Sequence, residues 1–518
     1  MFVLNSVIES FLSTRKRLYC CFVDFTRAFD TVNRQYLWYK LRMQGVGSKL
    51  LKIIQSLYHD FKACVKWDDK LSELIAITKG VLQGEALSPV LFSLFINDIV
   101  KDRSNSNDDD SILNMLNIFL IMYADDIVVL AASPAKLQKK LHSLHTYCNT
   151  WQLSVNVDKT KVVVFRNGGT VNDTWSYNRS NLKIVDSFNY LGIHFFYNGK
   201  FRTSQKTLAE QGRKAMFGIL KSLSDITPNT ETKLYIFDKY VKSILCYACE
   251  VWGFHSANDV EKIHLNFCKK VLGVNNKATT CMVYGELGRF PLVLCRKIRI
   301  LKYWAKLVSS ENVLMKTMYN HMFNSMFNKS WIVSVRDLLN NIGLGEFWIN
   351  QSVPNISSFV ANVTSRLQDQ CIQLWREEVE SKPKCILYQH LVDTFNLQFY
   401  LVKTLQPTIQ KAICKLRISS HYLAIESGRY NNTPRPQRMC TVCNSNEIED
   451  EFHFLLICDL YTDIRKTLIK KYYYIKPSVF KLVQLLSTNN VKELRNLGTF
   501  IVTSLNAREC KLSGSLTI

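Results

Sequence analysis

The sequence predicts an α+β fold, in which an antiparallel sheet carries helices on one face and is followed by a largely helical remainder. Three observations predict it. Short apolar segments rich in β-branched residues alternate with amphipathic segments up to about residue 200. After that point the pattern becomes helical and basic. Near the C-terminus, cysteines and a histidine gather in a polar stretch, which predicts a small zinc-knuckle-like module.

The first strand and helix are predicted from the start of the chain. Residues Cys20–Phe25 form a short apolar run typical of a buried strand, and Asp24 falls at its C-terminal end. A helical pattern follows from Thr26 or Ala28 to about Met43.

A turn-rich segment, 80–89, leads into the next predicted helix. Ser88 and Pro89 suit the N-cap and the first helical position of a helix that runs to Ile99. The polar segment Ser104–Ser111 is predicted to be a solvated insertion.

A hairpin is predicted over Leu120–Leu130, with two acidic residues at its tip. A helix with one apolar face follows to about Trp151, and Val162–Phe165 returns to strand. A further hairpin over Phe188–Phe201 is predicted to turn at Asn198-Gly199.

The net charge indicates the class of partner. The chain has 66 Lys and Arg against 43 Asp and Glu, a formal charge of +23. Such an excess favours a polyanion, and nucleic acid is the first candidate. No basic amphipathic helix with a clean apolar stripe suggests a membrane partner, and Asp125 and Asp126 interrupt the most apolar segment.

Cysteine usage and the start of the chain predict an intracellular protein that is not secreted, and we expect it in the nucleus and cytoplasm. The 16 cysteines are scattered through the chain, as is typical of reduced core thiols. Asn5 and Glu9 interrupt the apolar start, which argues against a signal peptide.

Asp24, Asp125 and Asp126 are candidate ligands for a pair of Mg²⁺ ions. Two such ions are what in-line nucleotidyl transfer requires, one at the attacking oxygen and one at the leaving group. We expect Asp125 to share the main role with Asp24, and Asp126 to support them. The alternative is a pair of solvated turn aspartates, because turns favour this residue.

Five segments along the chain form an ordered set of motifs: Phe22–Asp30 (F-x-D-x-x-x-A-F-D), 80–89, Met122–Asp126 (Y-A-D-D), Asn156–Lys161 and Asn189–Gly192. Together they resemble motifs A to E, in the same order, of the reverse transcriptases of non-LTR (LINE-like) retrotransposons, in which motif C is the YADD box. The resemblance implies a polymerase palm in residues 1–200, a thumb-like helical region in 201–310, a helical connector in 311–430 and a Cys-His module in 431–518.

The same resemblance implies an RNA-directed DNA polymerase that uses an RNA template, a DNA primer or target, deoxynucleoside triphosphates and Mg²⁺. Lys159 is the implied general acid, with Lys161 as its rival. Phe29 matches an aromatic gate beside the sugar, and a core phenylalanine is the alternative. The other implied residues contact the nucleotide (Phe25, Gln83, Gly84) or form the primer grip (Tyr190, Leu191, Gly192).

The sequence also departs from the family. Leu82 stands where motif B usually has arginine, and Glu85 follows Gly84, so we expect weakened nucleotide binding. The 23 residues before Asp24 are too few for the family's fingers motifs, so an N-terminally truncated, inefficient enzyme without an endonuclease is expected. The alternative is an inactive nucleic-acid-binding remnant. A maturase or telomerase relative is disfavoured by the A-F-D form of motif A.

Cys440, Cys443, His453 and Cys458 form the candidate zinc site. Their C-x2-C-x9-H-x4-C spacing supplies three sulfurs and one imidazole, which suits tetrahedral Zn²⁺. Core cysteines beside a helix histidine are the alternative. The segment resembles the C-terminal cysteine–histidine motif of LINE-like reverse transcriptases.

Overall fold

The computed structural model describes residues 1–99, 113, 120–226, 228–328, 330–403, 405–443 and 445–513 and shows a mixed α+β protein. The predicted insertion Ser104–Ser111 lies outside this range. The strands are β1 (Leu18–Val23), β2 (Lys62–Ala63), β3 (Lys66–Trp67), β4 (Lys70–Leu71), β5 (Ile75–Ala76), β6 (Leu120–Tyr123), β7 (Asp126–Ala131), β8 (Lys161–Phe165), β9 (Ser176–Tyr177), β10 (Ser180–Asn181), β11 (Lys183–Ile184), β12 (Ser187–Tyr190) and β13 (Ile193–Phe196).

Helices account for most of the remaining described residues. They are α1 (Phe2–Ser13), α2 (Arg34–Met43), α3 (Ser48–Leu57), α4 (Ser88–Ile96), α5 (Pro134–Thr150), α6 (Arg202–Ser222), α7 (Thr230–Ile236), α8 (Lys242–Leu245), α9 (Cys249–Trp252), α10 (Asn258–Leu272), α11 (Thr280–Leu287), α12 (Leu292–Val308), α13 (Val313–Ser325), α14 (Trp331–Asn341), α15 (Gly345–Asn350), α16 (Ile356–Ser381), α17 (Tyr388–Leu391), α18 (Phe399–Val402), α19 (Pro407–Arg417), α20 (Ala424–Tyr430), α21 (Thr462–Leu468), α22 (Lys471–Tyr474), α23 (Val479–Leu486) and α24 (Val491–Ser513). No helix in the described ranges is long and apolar enough to cross a membrane.

The chain divides into two compact units. The first comprises residues 1–204, 304–340 and 346–352, and the second comprises 205–303, 341–345 and 353–518. This division differs from the four consecutive segments predicted above. The first unit includes residues beyond 303 because helices α13 and α14 pack against α1. The Phe2 and Trp331 rings are 5.1 Å apart, and Ser10 Oγ lies 3.2 Å from His321 Nε2.

The first unit is built on a five-stranded sheet in the order β11-β8-β1-β7-β6. Each neighbouring pair is antiparallel except β8 and β11, which are parallel. All six residues of β1 are buried, so this strand lies at the centre of the sheet and is covered on both faces.

The two faces of the sheet have different covers. Tyr19, Cys21 and Val23 of β1 belong to a core cluster with apolar residues of α4 and α5. On the opposite face α1 contacts β1 and β8, and the Phe22 ring stacks on Phe188 of β12 at 4.4 Å. The prediction of helices on one face is therefore wrong, because the apolar α1 covers the second face.

Two local predictions are also wrong. Residues 26–31 form turns rather than helix, because Arg27 adopts a left-handed conformation (φ 49°), and α2 begins only at Arg34. The second hairpin pairs β12 with β13 and turns at Leu191-Gly192, not at Asn198-Gly199.

The second unit is mainly helical in the part of the chain that is described. A buried ion pair lies in its interior: the Arg417 guanidinium donates to both carboxylate oxygens of Glu286 and to the carbonyl of Leu486. Both side chains are almost inaccessible to solvent, with exposures of 2% and 0%.

Candidate active site and metal centre

Strand pairing brings the three predicted aspartates to one edge of the sheet. Val23 at the end of β1 pairs with Ile127 of β7, so Asp24 lies beside Asp126, the first residue of β7. Asp125 occupies the two-residue turn between β6 and β7, together with Ala124, whose φ is 52°. Both strands are apolar and buried apart from Asp126, so the acidic side chains collect where the two strands meet at the edge of the sheet.

The electrostatics of this edge agree with the register. The pKa of Asp126 is raised, first by partial burial and then by the negative charges of Asp125 and Asp24. Asp126 therefore lies within electrostatic reach of the other two carboxylates, although the oxygens of the three residues are not gathered into one compact cluster. Mutual repulsion of this kind is what a divalent cation would relieve.

The turn before β8 brings Lys159 to Asp24. The Asn156 N–H donates to the Asp24 carbonyl at 2.8 Å, and the Asp24 N–H donates to Thr160 Oγ1 at 3.2 Å. Lys159 Nζ then lies 3.9 Å from Asp24 Oδ2, on a side chain that is 69% exposed. Its rival Lys161 is directed elsewhere and donates to the carbonyl of Asp158.

The segments resembling motifs A and B are joined by main-chain hydrogen bonds. The Gly80 N–H donates to the Val32 carbonyl and the Val81 N–H to the Phe29 carbonyl, each at 2.8 Å. Gly80 has a φ of 83°, and a Cβ placed on it would lie 2.7 Å from the Asp30 carbonyl oxygen. Only glycine fits this contact, which accounts for the residue that begins motif B.

Arg34 holds the same junction and was not singled out from the sequence. Its guanidinium donates to the carbonyls of Gly80 at 2.9 Å and Ile77 at 2.8 Å, with longer bonds to those of Tyr58 and Lys79 at 3.3 Å. An arginine in the first turn of an amphipathic helix gives no signal of this role, because the carbonyls it binds lie over 20 residues away in sequence.

The segment Gln83–Glu85 lies exposed or half-buried beside motif A. Gln83 Nε2 donates to Asp30 Oδ1 at 2.9 Å, which also gives Asp30 a structural role. Gly84 adopts a φ of 86° with open space where a Cβ would lie. Glu85 accepts hydrogen bonds from Tyr58 and Ser88, at 3.3 and 3.4 Å, so two hydroxyl groups of the protein bind its carboxylate. Leu82 packs against the core in place of the family's arginine.

The two predicted phenylalanines differ in their exposure. Phe29 is half-buried, and its ring stacks on Phe92 at 4.9 Å. Phe25 is 5% exposed and lies in the core below the sheet edge. The Phe25 side chain is therefore a core residue, and a contact with nucleotide would have to involve its main chain.

The predicted primer-grip residues form the β12–β13 hairpin. Leu191 and Gly192 make its turn, with φ values of 52° and 81°. Tyr190 is buried, and within the described residues its hydroxyl has no hydrogen-bond partner. Burial, and then the charge of Asp126, raise the pKa of Tyr190, so this hairpin lies next to the acidic edge.

In the second unit, the four predicted zinc ligands come together. The Sγ atoms of Cys440, Cys443 and Cys458 and a ring nitrogen of His453 all lie within 4.8 Å of one another. Zn–S bonds of about 2.3 Å would give tetrahedral edges of about 3.8 Å, so the set fits this ion with small adjustments. The donor set also fits, because soft thiolates with one imidazole favour zinc.

Neighbouring groups hold these ligands in place. Glu447 Oε2 lies 3.0 Å from His453 Nδ1, which leaves Nε2, 3.3 Å from Cys443 Sγ, directed into the site. The Glu449 carboxylate accepts hydrogen bonds from Nε and Nη2 of Arg508, and Arg465 donates to the Cys458 carbonyl at 2.9 Å. The acidic residues between the cysteines and the histidine thus have structural roles.

Comparisons with known proteins agree with this geometry. Residues 4–195 match the family described as "Reverse transcriptase (RNA-dependent DNA polymerase)". The RNA-directed DNA polymerase from mobile element jockey of Drosophila funebris is 27% identical over 272 residues, which cover 51% of this chain and 29% of the relative. The Pol polyprotein from retrotransposable element R2 of Popillia japonica is 21% identical over 301 residues, which cover 54% of this chain and 48% of the relative.

Other similarities are partial. A 115 kDa protein in retrotransposable element R1DM of Drosophila melanogaster is 25% identical over 303 residues, covering 55% of this chain and 28% of the relative. A telomerase structure from Candida tropicalis is 12% identical with a TM-score of 0.31, over 61% of this chain and 51% of that one, which is too low to support a conclusion. The chain spans less than half the length of these curated relatives. Residues 4–195 are therefore similar to a reverse transcriptase domain, and the relatives that share this similarity come from a mobile element and from retrotransposable elements.

Proposed function

We propose that this chain acts as an RNA-directed DNA polymerase, extending a DNA primer along an RNA template with deoxynucleoside triphosphates. The observation that carries the proposal is the pairing of β1 with β7, which brings Asp24, Asp125 and Asp126 to one sheet edge beside Lys159. A family match over the same residues supports it.

Asp24 and Asp125 would hold two Mg²⁺ ions, with Asp126 in support, because this edge gathers three carboxylates, with Lys159 beside Asp24. When bound, the ions supply activation of the primer 3′-hydroxyl and charge stabilisation at the leaving group. Lys159 is placed to give a proton to the pyrophosphate. The hairpin at Tyr190 seats the primer end, and Gln83 and Gly84 contact the nucleotide and template.

The finer architecture belongs to the same proposal. Residues 1–200 serve as the palm, the helices of 201–310 as a thumb, 311–430 as a connector, and 431–518 as a zinc-binding module that contacts nucleic acid. A chain with this activity works inside the cell, in the nucleus and cytoplasm. The excess of 23 positive charges suits both its template and its target.

Primer extension on an RNA template tests the polymerase proposal. We expect Mg²⁺-dependent incorporation of deoxynucleotides, lowered at least a hundredfold by Asp24→Asn or Asp125→Asn, since each change removes a metal-binding charge. Asp60→Asn is the matched control, because Asp60 is exposed, lies outside the site and has a φ of 51°, which asparagine tolerates. RNA binding without synthesis in the unchanged protein would instead support a nucleic-acid-binding role alone.

Zinc content tests the C-terminal site. We expect one zinc ion per chain by elemental analysis after purification without added metal, and its loss in Cys440→Ser. Cys64→Ser is the control, because Cys64 is an exposed thiol distant in sequence from the site. Full zinc content in Cys440→Ser would overturn the assignment.

A further inference from the structure

The second unit contains a pocket of about 660 Å³ to which nothing above assigns a role. Its walls come from α7, the end of α10, the end of α18, the first turns of α19 and one face of α24. Val271, Leu401 and Ile409 are among the apolar residues that line it. The pocket shares no residue with the sheet edge or with the cysteine–histidine site.

Close packing of α19 against α24 shapes the pocket. A Cβ placed on Gly498 would lie 2.2 Å from Ile409 Cγ2, so these helices cross where Gly498 has no side chain. Arg495 and Thr499, on either side of Gly498, then line the pocket together with the start of α19. Gln410 Nε2 donates to the carbonyls of Tyr400 and Lys403, each at 3.1 Å, which ties the end of α18 to the same wall.

Every charged residue that lines the pocket is a cation. They are Lys233 from α7, Lys403 after α18, Lys411 from α19 and Arg495 from α24. None of the four has a carboxylate within 4 Å among the described residues, although other cations of this unit, such as Arg289 and Arg299, form ion pairs. The pocket therefore concentrates positive charge that the fold does not neutralise.

The lysines are held near one another despite their repulsion. The pKa of Lys233 is lowered, first by burial and then by the positive charge of Lys411. The stem of Lys411 lies over Gly273, where an added Cβ would be 2.7 Å from both Cγ and Cδ. Gly273 ends α10 with a φ of 66°, so a side chain there would be both strained and in collision with Lys411. Packing thus directs this ammonium toward the pocket.

We propose that this pocket binds the backbone phosphates of a nucleic-acid strand. Phosphate groups supply the missing negative charge, and the apolar lining suits a sugar or base between them. The pocket is partly open to solvent, which gives the phosphates of a strand access to it. The choice of nucleic acid as the polyanion rests on the proposed function.

The test measures binding of a fluorescein-labelled oligouridine to the full chain at several salt concentrations, without primer or nucleotides. The pocket variant is Lys233→Gln with Lys411→Gln, and the control is Lys262→Gln with Lys302→Gln, two exposed lysines of the same unit outside the pocket. Two lost phosphate contacts should lower the slope of log affinity against log salt by about 1.4, since each contributes about 0.7 for a single strand. At about 0.1 M salt this amounts to a roughly 25-fold loss of affinity.

Three outcomes would overturn the inference: an unchanged slope in the pocket variant, an equal fall in the control pair, or pocket-dependent binding of inositol hexakisphosphate but not of RNA. Lys411→Arg keeps the charge, so it should restore most of the affinity lost in Lys411→Gln, and circular dichroism confirms that each variant is folded. The polymerase proposal fails separately: an unchanged protein that synthesises no DNA but shows the predicted slopes refutes that proposal and leaves the pocket assigned.

Discussion

Replacing Arg34 tests whether the junction of motifs A and B depends on one side chain. Arg34 donates to four carbonyls, and the two shortest bonds, to Ile77 and Gly80, are 2.8 and 2.9 Å long. Arg34→Met keeps much of the apolar stem but removes all the donors. Arg34→Lys is the matched control, because an ammonium keeps the charge but lacks the planar array that spans several carbonyls.

The expected magnitude follows from the two short bonds. Hydrogen bonds from a charged donor contribute about 1.5–3 kcal/mol each, and the lower figure applies because Arg34 is only half-buried. Their loss should therefore favour opening of the junction by about 3 kcal/mol, or roughly 150-fold in the population of the open form. In Arg34→Lys, the population of the open form should lie between that of the unchanged protein and that of Arg34→Met.

Amide hydrogen exchange measures this opening directly. The amides of Gly80 and Val81 donate to Val32 and Phe29 across the junction, so their exchange should accelerate about 150-fold in Arg34→Met. The Michaelis constant for deoxynucleotides should rise as well, because Gln83 and Gly84, the proposed nucleotide contacts, come just after the junction in the chain. Unchanged protection of both amides would refute this account of Arg34.

Two further predictions concern stability. Burial raises the pKa of Glu9 to about 6, although hydrogen bonds from Trp331 and Asn5 act in the opposite direction. The folded first unit therefore keeps a proton on Glu9 at pH values where the unfolded chain has already released it. Stability should consequently fall as pH rises through 4.5 and 6. Between about pH 3 and about pH 8, the difference in unfolding free energy between Glu9→Gln and the unchanged chain should shift by about 2 kcal/mol in favour of the variant, as measured by urea unfolding. A difference that does not vary with pH would contradict the assignment. In the second unit, Arg417→Met should lower the free energy of unfolding by about 3–5 kcal/mol, because it leaves the Glu286 carboxylate buried without its partner. The double variant Arg417→Met with Glu286→Gln should recover part of that loss in the same assay. A double variant less stable than the single one would show that the ion pair is not the cause.

Local patterns were sufficient to predict the acidic edge. The apolar run before Asp24 and the apolar hairpin around Asp125 each predict a strand, and the five ordered motifs lead us to expect these residues to meet, which agrees with the pairing of β1 with β7. The cysteine–histidine cluster is also predictable, because the spacing of its residues in a polar stretch has few structural explanations. Its residues lie close together in sequence, whereas Asp24 and Asp125 lie far apart and meet through the pairing of β1 with β7.

The remaining features depend on contacts that no local pattern encodes. Asn198-Gly199 is the strongest turn signal in its segment, yet the hairpin turns at Leu191-Gly192, because that register buries Tyr190 and Ile193. The left-handed conformation of Leu191 is a cost that tertiary packing outweighs. The cationic pocket could not be predicted either, because Lys233, Lys411 and Arg495 meet only when helices distant in sequence pack together.

Calorimetric titration of the full chain with Mn²⁺, as a stand-in for Mg²⁺, tests most directly whether the acidic edge is a metal site. The account predicts binding that weakens at least tenfold in Asp24→Asn and in Asp125→Asn and stays unchanged in Asp60→Asn. Binding of equal strength in all four proteins would contradict it, because the aspartates at the end of β1 and at the hairpin tip would then not share a cation.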